Sequence, residues 1–193
     1  MPYSDNGIDI LVDNIFGSFI GYACDVGANN GLVLSNSLMF EEKGWIVLCV
    51  EPNPLLAVEC KANRKLHREV AAASEDSDHR RLNICGAPPY ASFTALLDDG
   101  ILSQGKASDQ IFPVVARRLD RILEEAGFPG LDYLTVDAEG SERDIMAGFT
   151  VERWKPRVIV LEEWTAEPII IPGYTITGKH AYDNLYVRDT PCQ

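Results

Sequence analysis

Three short runs in this chain are apolar at nearly every position instead of every second one. They are 45–50 (WIVLCV), 131–136 (LDYLTV) and 157–161 (RVIVL). A strand with that pattern has no face to give to water, so it must lie inside a sheet covered on both sides. Between the runs lie stretches with helical spacing. Residues 31–43 carry Leu32, Val33, Leu34, Leu38, Met39 and Phe40 and stop at Gly44, and residues 54–65 start with a proline suited to a first turn. Buried strands alternating with helices predict βαβ units, hence an α/β fold with a mostly parallel sheet and helices on both faces. Tyr22–Val26 is a further strand and 69–73 a weaker one. A helix is expected over 141–149, and 174–177 with 184–187 form an antiparallel closing pair around Gly178. Residues 82–130, rich in Pro and Gly, break the rhythm and hold a short helix near 118–126. They read as an insertion over the strand ends within a single domain spanning 1–193.

Charge narrows the partners. Seventeen Lys and Arg against 29 Asp and Glu give a net charge of −12, which disfavours nucleic acid and anionic lipid. The basic residues Lys61, Arg64, Lys65, Arg68, Arg80 and Arg81 read as a solvated face. The longest uncharged stretches, 26–40 and 82–97, are interrupted by Asn, Ser, Gly and Pro, so no membrane insertion is expected. The first basic residue is Lys43, which leaves no positive region for an export signal. Five cysteines with no CxxC spacing predict reduced thiols and a cytoplasmic protein.

The first chemical motif is Cys24-Asp25-Val26-Gly27-Ala28-Asn29-Asn30-Gly31, a strand, a glycine turn and an expected helix start whose N–H groups suit a carboxylate. Glu51 follows at the end of the next strand, where an acid can accept hydrogen bonds from ribose hydroxyls. Turn and acid together indicate an adenosine-containing cofactor. Dinucleotide sites use G-x-G-x-x-G, whose middle glycine admits a pyrophosphate. Here Gly27 and Gly31 enclose Asn29 and Asn30. S-adenosylmethionine has no pyrophosphate, and Asp25 suits its ammonium, so the spacing favours that cofactor over NAD.

The second motif is 131–142, LDYLTVDAEGSE. An apolar strand ends in three acids around a glycine. Crowded carboxylates are costly unless they meet a cation or take a proton. A sulfonium methyl donor supplies the cation, and a hydroxyl acceptor needs a base. Glu142 is accounted for as a helix-start acid; Asp137 is not. A divalent metal beside Asp137 is possible but not indicated by these residues.

These segments, with VEPNP at 50–54, Asn63, RLDRIL at 118–123, VIVLEE at 158–163 and GYTI…DNLYV at 173–187, resemble the FkbM-type S-adenosylmethionine-dependent methyltransferases from about residue 20 to 188. The resemblance implies a class I Rossmann-like fold with an antiparallel closing strand. It also implies methylation of a hydroxyl oxygen on a sugar or natural-product small molecule. Carried over by position, Asp25, Gly27, Asn29 and Gly31 surround the methionine part. Glu51 takes the ribose, Pro52 and Asn53 line the adenosine edge, and Ala72 and Ala73 contact the adenine. Ser92 lies near the acceptor, and Asp137 and Glu139 face the methyl and acceptor. The rival readings are a noncatalytic S-adenosylmethionine-binding module, which has no use for acids at 137 and 139, and an NAD-dependent oxidoreductase. The sequence leaves the acceptor and the oligomeric state open.

Overall fold

The computed structural model describes residues 2–85, 93–96, 110–164 and 167–189. In chain order the elements begin α1 (Ile8–Phe16), β1 (Tyr22–Val26), α2 (Leu38–Glu42), β2 (Ile46–Val50), α3 (Pro54–Asn63), β3 (Leu66–Arg68), β4 (Ala71–Ala73), β5 (Ser77–Cys85) and β6 (Phe93–Leu96). They continue with β7 (Gln110–Arg118), α4 (Leu119–Glu125), β8 (Tyr133–Val136), α5 (Glu142–Ala147), α6 (Val151–Trp154), β9 (Val158–Glu162), β10 (Tyr174–His180) and β11 (Asp183–Arg188).

Seven strands form the central sheet in the order β3-β2-β1-β8-β9-β11-β10. The pairs from β3 to β9 are parallel, and β11 runs antiparallel between β9 and β10. This is the expected α/β architecture with its antiparallel closing strand. The apolar runs behave as their composition requires. Cys24, Leu48, Leu134 and Ile159 enter a core on one face with Leu119, Ile122 and Ile145 of the helices. Their chain neighbours Ala23, Val47, Tyr133 and Val158 enter a second core on the other face with Ile8, Val12 and Phe16 of α1. Successive strand residues point to opposite faces, so a fully apolar strand feeds two cores at once. The chain winds outward from β1 to β3 in one direction and from β8 to β9 in the other. The strand ends therefore open a crevice at β1 and β8.

Four expectations need correction. The helix expected over 31–43 is only α2. Asn30 Oδ1 accepts the Leu32 and Val33 N–H groups, Ser35 Oγ accepts those of Ser37 and Leu38, and Leu34 sits at φ +55°. Local side-chain bonds of this kind compete with helix formation. The weak strand near 69–73 does not join the central sheet. Its edge position is taken by β3, while β4 starts a second, four-stranded sheet of order β4-β7-β5-β6. The segment 82–130 thus holds strands beside the expected short helix, and the polar β5 and the Pro113-containing β7 conceal them. Finally, Gly178 lies within β10 at a register shift, and the hairpin turns at Ala181 and Tyr182 instead.

Candidate active site

The turn after β1 is packed against its neighbours. Gly27 has φ +85°, and a Cβ there would lie 1.7 Å from the carbonyl oxygen of Asp137. Only glycine lets the two strand ends approach this closely. Gly31, at φ +83°, makes room for Arg64, whose Cγ would sit 2.6 Å from an added Cβ. The Arg64 side chain is fully buried. Its guanidinium donates to Glu41 Oε2 (3.0 Å), the Gly31 carbonyl (3.0 Å), Ser35 Oγ (3.2 Å) and Ser37 Oγ (2.9 Å). Ser37 in turn donates to Asp25. One arginine therefore holds the 31–37 loop and the Asp25 carboxylate together. It belongs to the core, not to the solvated face expected of the basic run. Asn63 donates to the Asn30 carbonyl at 2.9 Å and ties the same turn to α3.

The turn is not a carboxylate cradle. The N–H groups of Gly27 and Ala28 donate to Val50, that of Asn29 to Glu51, that of Asn30 to the Asn29 side chain, and that of Gly31 to Ala28. All are committed within the chain, and no helix starts at Gly31.

Above the turn lies a pocket of about 1040 Å³, its open mouth included. Its apolar wall includes Val33, Leu34, Pro52, Leu56, Leu82 and Ile145, and its acids are Asp25, Glu51, Asp137 and Glu139. No Lys, Arg or His is among the described residues that line it. Glu51 is 4% exposed and accepts one backbone N–H on each oxygen, from Asn53 and Asn29, both at 2.8 Å. Burial nevertheless pushes its carboxyl up to about 7. Burial also raises Asp25, against the opposing pull of Arg64 and the two serine hydroxyls.

At the far side of the pocket β8 ends in Asp137 and Glu139, and β9 ends beside it in Glu162. One carboxylate oxygen from each of the three lies within 4.8 Å of the others. Burial first, and then Glu162, hold Asp137 well above the usual carboxylate range. Glu139 sits at φ +53°, its Oε2 is buried without a hydrogen-bond partner, and burial followed by Glu162 raises its carboxyl to about 7. Hard divalent cations accept oxygen sets of this kind.

The family model for the methyltransferase FkbM domain matches residues 25–168. The chain belongs to the FkbM methyltransferase family. Among curated proteins it is 26% identical over 159 residues to the 2-O-methyltransferase NoeI of Sinorhizobium fredii (strain NBRC 101917 / NGR234), covering 72% of this chain and 61% of that protein. The chain thus spans about three-fifths of that relative's length. Among solved structures, methyltransferase FkbM from Methylobacillus flagellatus KT matches with a TM-score of 0.49 at 16% identity, covering 84% of this chain and 37% of that one.

Within the FkbM-family motifs, pocket-lining residues separate from those that only hold the fold. Of the residues singled out from the sequence, Asp25, Gly27, Asn29, Glu51, Pro52, Ala72, Asp137 and Glu139 line the pocket. Gly31, Asn53 and Ala73 do not: Gly31 faces Arg64, Asn53 caps α3 through Leu55 and donates to Glu51, and Ala73 is buried in the small sheet. Ser92 lies outside the described residues. Asp120 of the RLDRIL segment is structural, accepting from Thr150 N, Thr150 Oγ1 and Trp154 Nε1 at 2.6–2.9 Å. Glu142 closes the turn by accepting the Ala138 and Gly140 N–H groups. Sequence reasoning misses Leu34, Ser35 and Asn36 in the wall, because it places them in a helix, and it misses Glu162 in the acid group.

Proposed function

We propose that this FkbM-family methyltransferase transfers the methyl group of S-adenosylmethionine to a hydroxyl oxygen of a sugar or natural-product small molecule. The observation that carries the reading is the charge of the pocket. Four carboxylates line it with no cationic side chain among the described residues. A buried site of that kind favours a positively charged ligand and opposes a pyrophosphate. It therefore supports a sulfonium donor over NAD. A noncatalytic binding module accounts for Asp25 and Glu51 but leaves Asp137 and Glu139 without a task. Ala71, Ala72 and Leu82 bring the small sheet into the pocket wall, so we read it as part of one methyltransferase domain.

The glycine contact at 27, the apolar wall and the buried acid at 51 fit the group. Glu51 would hold the ribose with lone pairs its two backbone donors leave free, Pro52 and Ala72 would border the adenosine, and Asp25 would face the ammonium. When bound, S-adenosylmethionine supplies an electrophilic methyl whose transfer leaves a neutral thioether and frees the acceptor's hydroxyl proton. Glu139 would take that proton: its Oε2 has no hydrogen-bond partner, and a carboxyl near 7 is a usable base at neutral pH. Asp137, its carboxyl raised by burial and by Glu162, would stand beside it.

The name of the rhizobial relative, a 2-O-methyltransferase, supports oxygen as the acceptor atom. The acidic surface supports a small acceptor and not nucleic acid. No helix is long and apolar enough to cross a membrane among the described residues. Cys24, Cys49 and Cys60 are buried free thiols, which supports the cytoplasm as the compartment. Incubation with trideuteromethyl-labelled S-adenosylmethionine and a panel of monosaccharides and phenolic natural products, followed by mass spectrometry, tests the reading. The label should appear on oxygen of one acceptor class. Label found only on nitrogen or carbon overturns the oxygen assignment.

A further inference from the structure

Next to Glu162, two large aromatic rings lie in the open. Trp164 and Tyr182 stack with ring centroids 4.0 Å apart and planes 21° from parallel. They are 45% and 49% exposed, whereas Trp45 and Trp154 are buried. The pair is tied to residues 162 and 163 at the end of β9. Trp164 Nε1 donates to Glu162 Oε2 at 2.9 Å, and the Glu163 N–H donates to the Tyr182 carbonyl at 2.8 Å. The turn that presents Tyr182 carries Ala181 at φ +53°, a left-handed conformation that a side-chain-bearing residue adopts at a cost. The Glu163 carboxylate, 4% exposed, anchors the base by accepting from Asn184 Nδ2, Tyr186 Oη and the Ile169 N–H at 2.6–2.7 Å. Asp183, next to Tyr182, pairs with Glu162 across the ladder.

The acids therefore stand between two different surroundings. Asp137 and Glu139 line the pocket proposed for the donor; a Glu162 oxygen lies within 4.8 Å of theirs, and Glu162 Oε2 accepts from Trp164 of the aromatic pair. A pyranose matches that second surrounding: its C–H face is apolar and packs on an aromatic ring, while its edge carries hydroxyls that donate to carboxylates. We propose that Trp164 and Tyr182 are the acceptor platform, seating the C–H face of a pyranose ring so that its hydroxyls meet the Glu162 and Glu139 carboxylates. This deepens the methyltransferase reading above and rests on it.

Saturation-transfer NMR tests the platform, using methyl pyranosides of the common hexoses, 6-deoxyhexoses and N-acetylhexosamines, with catechol as the flat aromatic comparison. S-adenosylhomocysteine affinity is measured calorimetrically on the same samples. At least one pyranoside should receive saturation on its ring C–H protons and protect tryptophan fluorescence from acrylamide. Trp164→Ala and Tyr182→Ala should each weaken that binding by about tenfold while leaving S-adenosylhomocysteine affinity within a few-fold. Tyr182→Ala leaves the Trp164 bond to Glu162 in place, so it separates loss of stacking from loss of that bond. Equal saturation in parent and both variants overturns the platform. So does a signal from catechol alone, or none from any pyranoside on protein that binds S-adenosylhomocysteine. Pyranoside binding that depends on Trp164 in protein that does not bind S-adenosylhomocysteine would support the platform and overturn the donor assignment instead.

Discussion

Glu51→Gln should make the fold less sensitive to rising pH and weaken the binding of the donor, and both effects can be sized from the structure. The carboxyl titrates near 4.5 in the unfolded chain and near 7 in the folded one, because burial outweighs the two backbone N–H groups it accepts. A group raised in this way contributes stability that is complete below the unfolded value and is lost as pH rises through the folded one. With those two values, raising pH from about 5.5 to about 8 costs the parent about 2 kcal/mol through Glu51 alone. Gln cannot ionise, so the variant escapes that loss. Its single carbonyl keeps one of the two N–H bonds and gives up the other, at about 1–3 kcal/mol independent of pH. Denaturant unfolding of parent and variant at both pH values isolates the charge term. The gap between them should shift by about 2 kcal/mol in the variant's favour at the higher pH, equivalent to about 4–8 °C in Tm. In parallel, S-adenosylhomocysteine affinity should fall about 10–150-fold, since hydrogen bonds to a charged group contribute about 1.5–3 kcal/mol. If parent and variant lose stability with pH in step, Glu51 is ionised at no cost in the fold and the reasoning fails.

Glu139→Gln should lower turnover by about 10²–10⁴ with S-adenosylhomocysteine affinity within a few-fold. The parent rate should rise as pH passes about 7, where Glu139 loses its proton, and the variant should lack that rise. Arg64→Ala strands Glu41 and Asp25 without their cation and should cost about 3–5 kcal/mol by denaturant unfolding, with loss of donor binding. Gly27→Ala should abolish donor binding or folding, because its Cβ meets the Asp137 carbonyl oxygen. Gly127→Ala, also at positive φ but in open space, should cost only about 1–2 kcal/mol in the same unfolding assay.

What was legible in the sequence follows a physical divide. WIVLCV, LDYLTV and RVIVL announce strands covered on both faces because their apolar residues, Ile46 excepted, enter one core or the other. The acids at 51, 137 and 139 stand out because they end such strands. The 31–37 loop was hidden because Leu32, Val33 and Leu34 mimic a helix face. In the structure Leu32 and Leu34 are over 40% exposed, and Val33 and Leu34 border the pocket. Apolar residues serving a pocket carry no periodicity that separates them from core. The signals present were Asn30 and Ser35, side chains that cap their own backbone. The small sheet was hidden because β5 reads SDHRRLNIC, with few apolar positions to alternate. Glu162 ends an apolar strand as Asp137 does, but its place beside Asp137 depends on β8 pairing with β9, Val136 opposite Leu161, which composition alone does not state. Arg64 was read with the basic run because nothing in sequence separates one buried arginine from exposed neighbours.

The central claim is that the acid-lined pocket takes a cationic, adenosine-bearing methyl donor. Calorimetric titration of the purified protein with S-adenosylmethionine and with NAD tests it most directly. Binding of S-adenosylmethionine in the micromolar range, with no heat from NAD, is the predicted result; tight binding of NAD with none of S-adenosylmethionine would contradict it.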